Sequence, residues 1–173
     1  MIKVREETPH DRDAVRLVNR LAFGGADEAD LVDRLHREDL VVASLVAIDG
    51  PDVVGHVLFS ELPVEGAKSV IRAAALAPMA VLPKHQGRGI GSALVVRGLD
   101  VCRRRGVEAV IVLGHETYYP RFGFSAARAQ ALSAPFSGPA FMALELVPGV
   151  LGGGGVVRYP PAFGLGEGSG EGT

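Results

Sequence analysis

The sequence predicts an α/β fold, a mixed and twisted sheet flanked by helices. Three stretches carry that reading. Leu76 to Leu113 runs strand, glycine loop, amphipathic helix, strand, a crossover that places two strands parallel. Leu40–Ile48 and Val53–Ser60 are two β-like runs separated by the turn Asp49-Gly50-Pro51-Asp52, an antiparallel hairpin. Ahead of them lie two segments with helical spacing of apolar residues.

Taken in order, Ile2–Val4 is a short strand. Thr8 before Pro9 sets up a helix start, with Asp11 and Asp13 near its positive end. Val15, Leu17, Val18, Leu21 and Phe23 supply the buried stripe of this first helix, and Gly24-Gly25 ends it. The second helix spans Glu28–Arg37, with Leu31, Val32 and Leu35 inward. After the hairpin, a strand covers Val70–Leu82, with Pro78 expected to interrupt its ladder as a bulge or splay. In the next helix Ile90, Leu94, Val95, Gly98, Leu99, Val101 and Cys102 fill one face. Arg97, Asp100, Arg103 and Arg104 fill the other, and Gly106 caps the end. Val107–Leu113 is a strand, Thr117–Phe122 a turn or short helix, and Phe141–Val147 a last strand. Residues 1–163 are read as one domain without internal repeats, and the Gly-, Glu- and Ser-rich residues 164–173 as a mobile tail.

The bulk properties narrow the class. The 173 residues, 47% of them hydrophobic, suffice for one domain with a core and argue against disorder. A formal net charge of −2 offers no basic field for nucleic acid or an anionic membrane. The single cysteine, Cys102, cannot form an internal disulfide, and it falls on the apolar helix face. Met1–Thr8 carry charges of both signs and no apolar run, so neither a signal peptide nor a membrane span is expected, and a cytoplasmic location fits. The five histidines lack ligand-like spacing, so no metal is expected. Arg103-Arg104-Arg105 reads as cations at a helix C-terminus.

The chemistry concentrates in Gln86-Gly87-Arg88-Gly89-Ile90-Gly91, which passes from strand to helix with no spare residues. The first N–H groups of a helix lack internal partners and carry partial positive charge. Glycines let a diphosphate approach them closely. The loop is not a dinucleotide fingerprint, since Ser92 stands where the third glycine belongs. It also lacks the Gly-Lys-Ser/Thr ending of a nucleotide P-loop. A plain tight turn before a helix is the competing structural reading.

These six residues fit Q/R-x-x-G-x-G/A, and the chain here resembles the GNAT N-acetyltransferase superfamily, whose acyl-CoA-binding motif this is. Met79-Ala80-Val81-Leu82-Pro83 is similar to the strand leading into that motif. Tyr118-Tyr119-Pro120-Arg121-Phe122-Gly123-Phe124 resembles the family's second, aromatic hallmark. Val112–Phe124, Phe141–Leu146 and Arg158–Phe163 are similar to a bacterial, YhbS-type subgroup of predicted acetyltransferases.

The resemblance implies an acetyl-CoA-dependent transfer to a primary amine of a small molecule or peptide, by direct attack. The pantetheine arm would lie between two splayed parallel strands, ending near Val81 and Gly114, and pair with the backbone of Met79 and Val81. An N–H near Ala80 would polarise the thioester. Backbone from Gly87 through Ser92, with Arg88 at the rim, would hold the diphosphate. Tyr119 is the expected general acid toward the departing thiolate. Many family members carry a glutamate base on the strand before the loop, but Ala73–Ala80 holds no carboxylate. His115 is the candidate base, with Glu116, His56, Glu61, a water chain or an already neutral amine as alternatives. A scaffold that binds acyl-CoA without transferring it is the other reading, and a nucleotide-binding protein a third. A homodimer is compatible with the sequence, which does not name the acceptor.

Overall fold

Gly50 takes φ +59 in the two-residue turn between the central hairpin strands, a conformation that glycine adopts at no steric cost. In the computed structural model, which describes residues 1–165, the elements follow in order. They are β1 (Ile2–Glu6), α1 (Arg12–Phe23), α2 (Asp27–Arg37), β2 (Val41–Asp49), β3 (Asp52–Glu61), β4 (Val64–Glu65), β5 (Val70–Ile71) and β6 (Ala73–Val81). Then come α3 (Ile90–Arg104), β7 (Ala109–Leu113), α4 (Ala126–Ala129), β8 (Leu132–Ser133), β9 (Phe141–Glu145) and β10 (Gly155–Val157). The tail expected beyond Gly164 lies, from Gly166 on, outside the described residues.

The chain forms two units, Met1–Ser60 with Ala77–Cys102, and Glu61–Leu76 with the chain from Arg103 on. In the first, β1, β2 and β3 pair antiparallel, and β3 neighbours β6. Successive side chains of a strand face opposite ways, and β3 shows what each face meets. A β-carbon on Gly55 would touch Leu94 and Ile90 of α3, whereas the next residue, His56, meets Asn19 of α1. The buried side of α3 is Ile90, Leu94, Val95, Gly98, Leu99, Val101 and Cys102, the face expected from its periodicity.

The face of α1 differs from the expectation. Val15, Val18 and Asn19 are buried, while Leu17, Leu21 and Phe23 are 55%, 53% and 44% exposed. Two stripes overlap in this helix, and the less hydrophobic one turns inward because Asn19 completes a buried hydrogen-bond chain. Its Nδ2 donates to the Val15 carbonyl at 3.0 Å and to His56 Nδ1 at 3.1 Å. Ser44 Oγ gives its one proton to Glu7 Oε1 at 2.8 Å, so its 2.9 Å contact with His56 Nε2 requires the ring to donate there. His36 Nε2 lies 3.0 Å from the same Glu7 oxygen. Burial pushes the His56 imidazolium down to about 4, against the pull of the Glu7 charge, so the ring is neutral. Burial would raise the Glu7 carboxyl, but the hydrogen bonds from His36 and Ser44 outweigh it and hold the group low. At the start of the chain Asp11 is gripped by two Arg5 nitrogens at 2.7 and 3.0 Å and by the Thr8 N–H, and this Arg5 pairing holds its carboxyl well below the usual range.

In the second unit, Ala73–Ala75 of β6 pair in parallel with Ala109–Ile111 of β7, and β9 runs antiparallel to β7. The crossover is therefore present, and the sheet strands are mixed in direction. A small sheet of order β5-β4-β10-β8 completes this unit, whose core includes Leu62, Ile71, Ile111, Phe141 and Val157.

One strand expectation needs correction. Val70–Leu82 is not one strand, because the chain leaves the ladder at Arg72. The Arg72 N–H donates to Glu108 Oε2, and its guanidinium reaches Glu61 Oε1 and the Arg105 carbonyl. As expected of a ladder interrupted near Pro78, the pairing of β6 with β7 covers only Ala73–Ala75, while β6 itself continues as a strand to Val81. The Ala77–Pro78 peptide is cis.

Candidate functional site

β6 delivers the chain to the glycine loop through a tight turn. Residues Pro83–His85 form a 3-10 turn, with the His85 N–H on the Leu82 carbonyl at 2.8 Å. Gln86 Nε2 donates back to the Val81 carbonyl at 3.0 Å, tying the loop to the end of the strand. This amide therefore shapes the loop from inside. Gly87 and Gly89 take φ +77 and +80, and a β-carbon on either would meet nothing within 4 Å. The loop needs glycine for its backbone, and the space beside both residues is open.

The first intrahelical bond of α3 runs from the Ala93 N–H to the Gly89 carbonyl at 3.0 Å. The N–H groups of Ile90 and Gly91 come before it, outside the helical ladder. Gln86, Gly87, Arg88 and Gly89 are exposed, and Gly91 and Ser92 half-buried, while the Ile90 side chain anchors the turn in the core. Lys84 and Arg88 are exposed cations on the same short segment. Positive helix dipole, open glycines and two cations together make a surface for a phosphate-bearing anion. Upstream, Ala80 and Val81 are buried and Met79 half-buried.

The second unit holds Tyr119 and His115. Tyr119 opens a 3-10 turn, Tyr119–Phe122, that ends at Gly123 with φ +100. Its ring makes edge contacts with Tyr118 at 5.1 Å and Phe124 at 5.7 Å, and a tilted one with Phe122 at 6.4 Å. Only 6% of the residue is exposed. Burial pushes its phenol up to about 12, with Tyr118 adding to the shift, so the hydroxyl keeps its proton near neutrality. Tyr118 is fixed from the other side by Arg121, whose guanidinium carbon lies 4.4 Å from the ring centroid.

His115 is exposed, and its carbonyl accepts the N–H groups of Tyr118 and Tyr119 at 3.1 and 3.3 Å. Glu116 is exposed too. Two other candidate bases drop out: both ring nitrogens of His56 are engaged inside the core, and Glu61 is paired with Arg72 at 2.8 Å. Glu108 Oε2 accepts the Arg72 N–H at 2.7 Å. Cys102 is a buried free thiol. Among the described residues no helix is long and apolar enough to cross a membrane.

Sequence reasoning missed two features. One is the clamp of Gln86 on Val81, for which the motif gave only a residue type. The other is the close approach of Gly114 to Tyr119, which a glycine at a strand end could have signalled.

A mixed sheet with a strand running into an anion-binding helix start is an architecture for gripping a phosphate-bearing cosubstrate. Residues 3–127 match the family model of the acetyltransferase (GNAT) domain. The chain belongs to this GNAT acetyltransferase family. It is 40% identical over 116 residues to the uncharacterized N-acetyltransferase YjhQ of Escherichia coli K12, covering 66% of this chain and 64% of YjhQ. It is 34% identical over 164 residues to the uncharacterized N-acetyltransferase YhbS of the same strain, covering 92% of this chain and 97% of YhbS. The crystal structure of Escherichia coli YhbS in complex with CoA superposes with a TM-score of 0.85, over 94% of this chain and 92% of that one. A GNAT acetyltransferase of Brucella melitensis in complex with acetyl-CoA, 33% identical, gives 0.78 over 94% and 98%. The fold is thus the GNAT fold, as the sequence motifs implied.

Proposed function

We propose that this protein is an acetyl-CoA-dependent N-acetyltransferase that moves the acetyl group to a primary amine of a small molecule or peptide by direct attack, with residues 1–163 as its catalytic domain. The observation that carries the reading is the start of α3, with two left-handed glycines open on their Cβ side in the loop that joins it to β6. The CoA and acetyl-CoA complexes of YhbS and the Brucella protein support it.

Four groups of residues then have roles. Main-chain N–H groups from Gly87 to Ser92 hold the diphosphate, with Arg88 adding charge and Gln86 keeping the loop in shape. Met79 and Val81 pair through their backbone with the amides of the pantetheine arm, and an N–H near Ala80 polarises the thioester carbonyl. The neutral amine attacks the carbonyl carbon, a C–N bond forms, and the C–S bond breaks with its electron pair on sulfur. Tyr119, as the general acid, donates a hydrogen bond from its hydroxyl to that departing sulfur. At about 12 the phenol is well above a thiol, near 8.5, so it enters as a hydrogen-bond donor that lowers the barrier to departure. The amine proton leaves to His115 or to water. The acceptor is an amine in either case, and a homodimer is compatible with this scheme.

One observation favours a second reading. β6 carries no carboxylate, so a scaffold that holds acyl-CoA without transferring it is the alternative. Release of free thiol from acetyl-CoA in the presence of a panel of amines and peptides separates the two. Turnover with any amine supports the enzyme; cofactor binding without thiol release across the panel supports the module. In the enzyme, Tyr119→Phe lowers kcat by about a hundredfold and leaves cofactor affinity nearly intact. Equal loss of both in a calorimetric and kinetic comparison would make the tyrosine structural.

A further inference from the structure

Gly114 directly follows β7, and its N–H donates to the Ala140 carbonyl at 3.0 Å, so the main chain fixes its place. Its φ lies outside the left-handed region, so an alanine here would carry no backbone strain. The reason for glycine must be space. A β-carbon on Gly114 would stand 2.5 Å from Tyr119 Cε2, 3.1 Å from Cδ2 and 3.5 Å from Cζ, and these are its three nearest atoms. The first distance is about an ångström inside ordinary carbon–carbon contact.

The ring has little room to retreat. Tyr118 and Phe124 press their edges on it, Phe122 leans against it, and Tyr118 is itself held by the Arg121 guanidinium and by the Arg121 Nε bond to its carbonyl at 2.9 Å. The bare backbone of Gly114 is thus one wall of an aromatic cage that holds the Tyr119 ring. We infer that Gly114 is a positioning residue for Tyr119: the absent side chain is the seat on which the ring lies, and any larger residue displaces the hydroxyl from the reacting sulfur. This rests on the general-acid role proposed for Tyr119.

The test is a double-mutant cycle with Gly114→Ala and Tyr119→Phe, read as kcat and as KM for acetyl-CoA. Displacement by about an ångström in a reacting group costs about ten- to a hundredfold in rate. Gly114→Ala is therefore expected to lower kcat by that factor and to leave KM within about twofold. Added to Tyr119→Phe, it should lower kcat no further, since the hydroxyl it displaces is already gone. An unchanged kcat in Gly114→Ala, beside a loss in Tyr119→Phe, overturns the positioning role alone. A full additional loss in the double variant overturns it too, because the effect then bypasses the hydroxyl. Wild-type turnover in Tyr119→Phe overturns the general-acid role and this inference with it. Should Gly114→Ala fail to fold, Gly114→Ala/Tyr119→Leu is compared with Tyr119→Leu by thermal unfolding. Equal melting temperatures support the contact, and a double variant that melts well below Tyr119→Leu overturns it.

Discussion

Glycine does opposite work in two parts of this molecule. In the loop between β6 and α3, Gly87 and Gly89 are left-handed and look into open space. At Gly98 and Gly114 the backbone is ordinary and the space is full: a β-carbon would run into Phe59 or Tyr119. The first pair keeps room for something the chain does not itself supply. The second pair makes room for an aromatic ring that the chain supplies. A glycine alone in a sequence is therefore ambiguous between site and core, and only its φ and its neighbours separate the two.

Substitutions that respect this difference should behave in opposite ways. The largest effect is expected at the loop. Gly89→Glu places a bulky anion where a diphosphate would sit, and its fold pays only the cost of a left-handed side chain, about 1–2 kcal/mol. Affinity for acetyl-CoA should fall by about a hundredfold or more, roughly 3 kcal/mol, in isothermal titration. Unaltered affinity would remove the loop assignment.

Gly98→Ala should show the reverse, a stability effect with the loop intact. Alanine gains about 1 kcal/mol in helix propensity over glycine. Here its methyl would lie 2.7 Å from Phe59 Cζ and closer still to Cε2, with Phe59 fully buried. Overpacking of this kind costs about 1–3 kcal/mol, occasionally more, and should win. Urea unfolding is expected to show a net loss; a gain would mean that the core yields easily at this point.

A further effect, which appears only as the pH falls, belongs to the buried polar chain under α1. In the unfolded chain His56 titrates near 6.5, and in the fold near 4. Between those values the unfolded state holds more protons, so stability is full above about 6.5 and is lost as the pH falls toward 4. Glu7, His36, Ser44 and Asn19 surround the ring or its chain, and Glu7 adds a further acid-sensitive step at lower pH. From pH 7 to pH 5 the wild type should lose on the order of 2 kcal/mol through His56, and His56→Gln should lose that much less. Parallel urea midpoints for both proteins over that range would contradict a buried neutral histidine.

Much of this was legible in the sequence, and the exceptions share a cause. The α3 face could be read because its apolar residues form one stripe, and the loop because its glycines sit at the start of that helix. The α1 face was misread because Leu17 and Leu21 outweigh Asn19 on any hydropathy scale. What turns Asn19 inward is a histidine 37 residues away, which local pattern does not report. The break at Arg72 has the same origin, since Glu61, Arg105 and Glu108 draw it out of the ladder from three other places in the chain. For the candidate site, the order of the two motifs named the candidate residues, while the cage around Tyr119 and the clamp of Gln86 needed coordinates. Local chemistry was readable; partners brought together by folding were not.

The central claim is that main-chain amides at the start of α3 receive the diphosphate of coenzyme A. Titration of isotopically labelled protein with acetyl-CoA, followed by amide NMR shifts, tests it most directly. The amides of Gly87 through Ser92 should move furthest and saturate together, and NAD and ATP should not reproduce the pattern. Saturable binding that leaves those amides unmoved would contradict it.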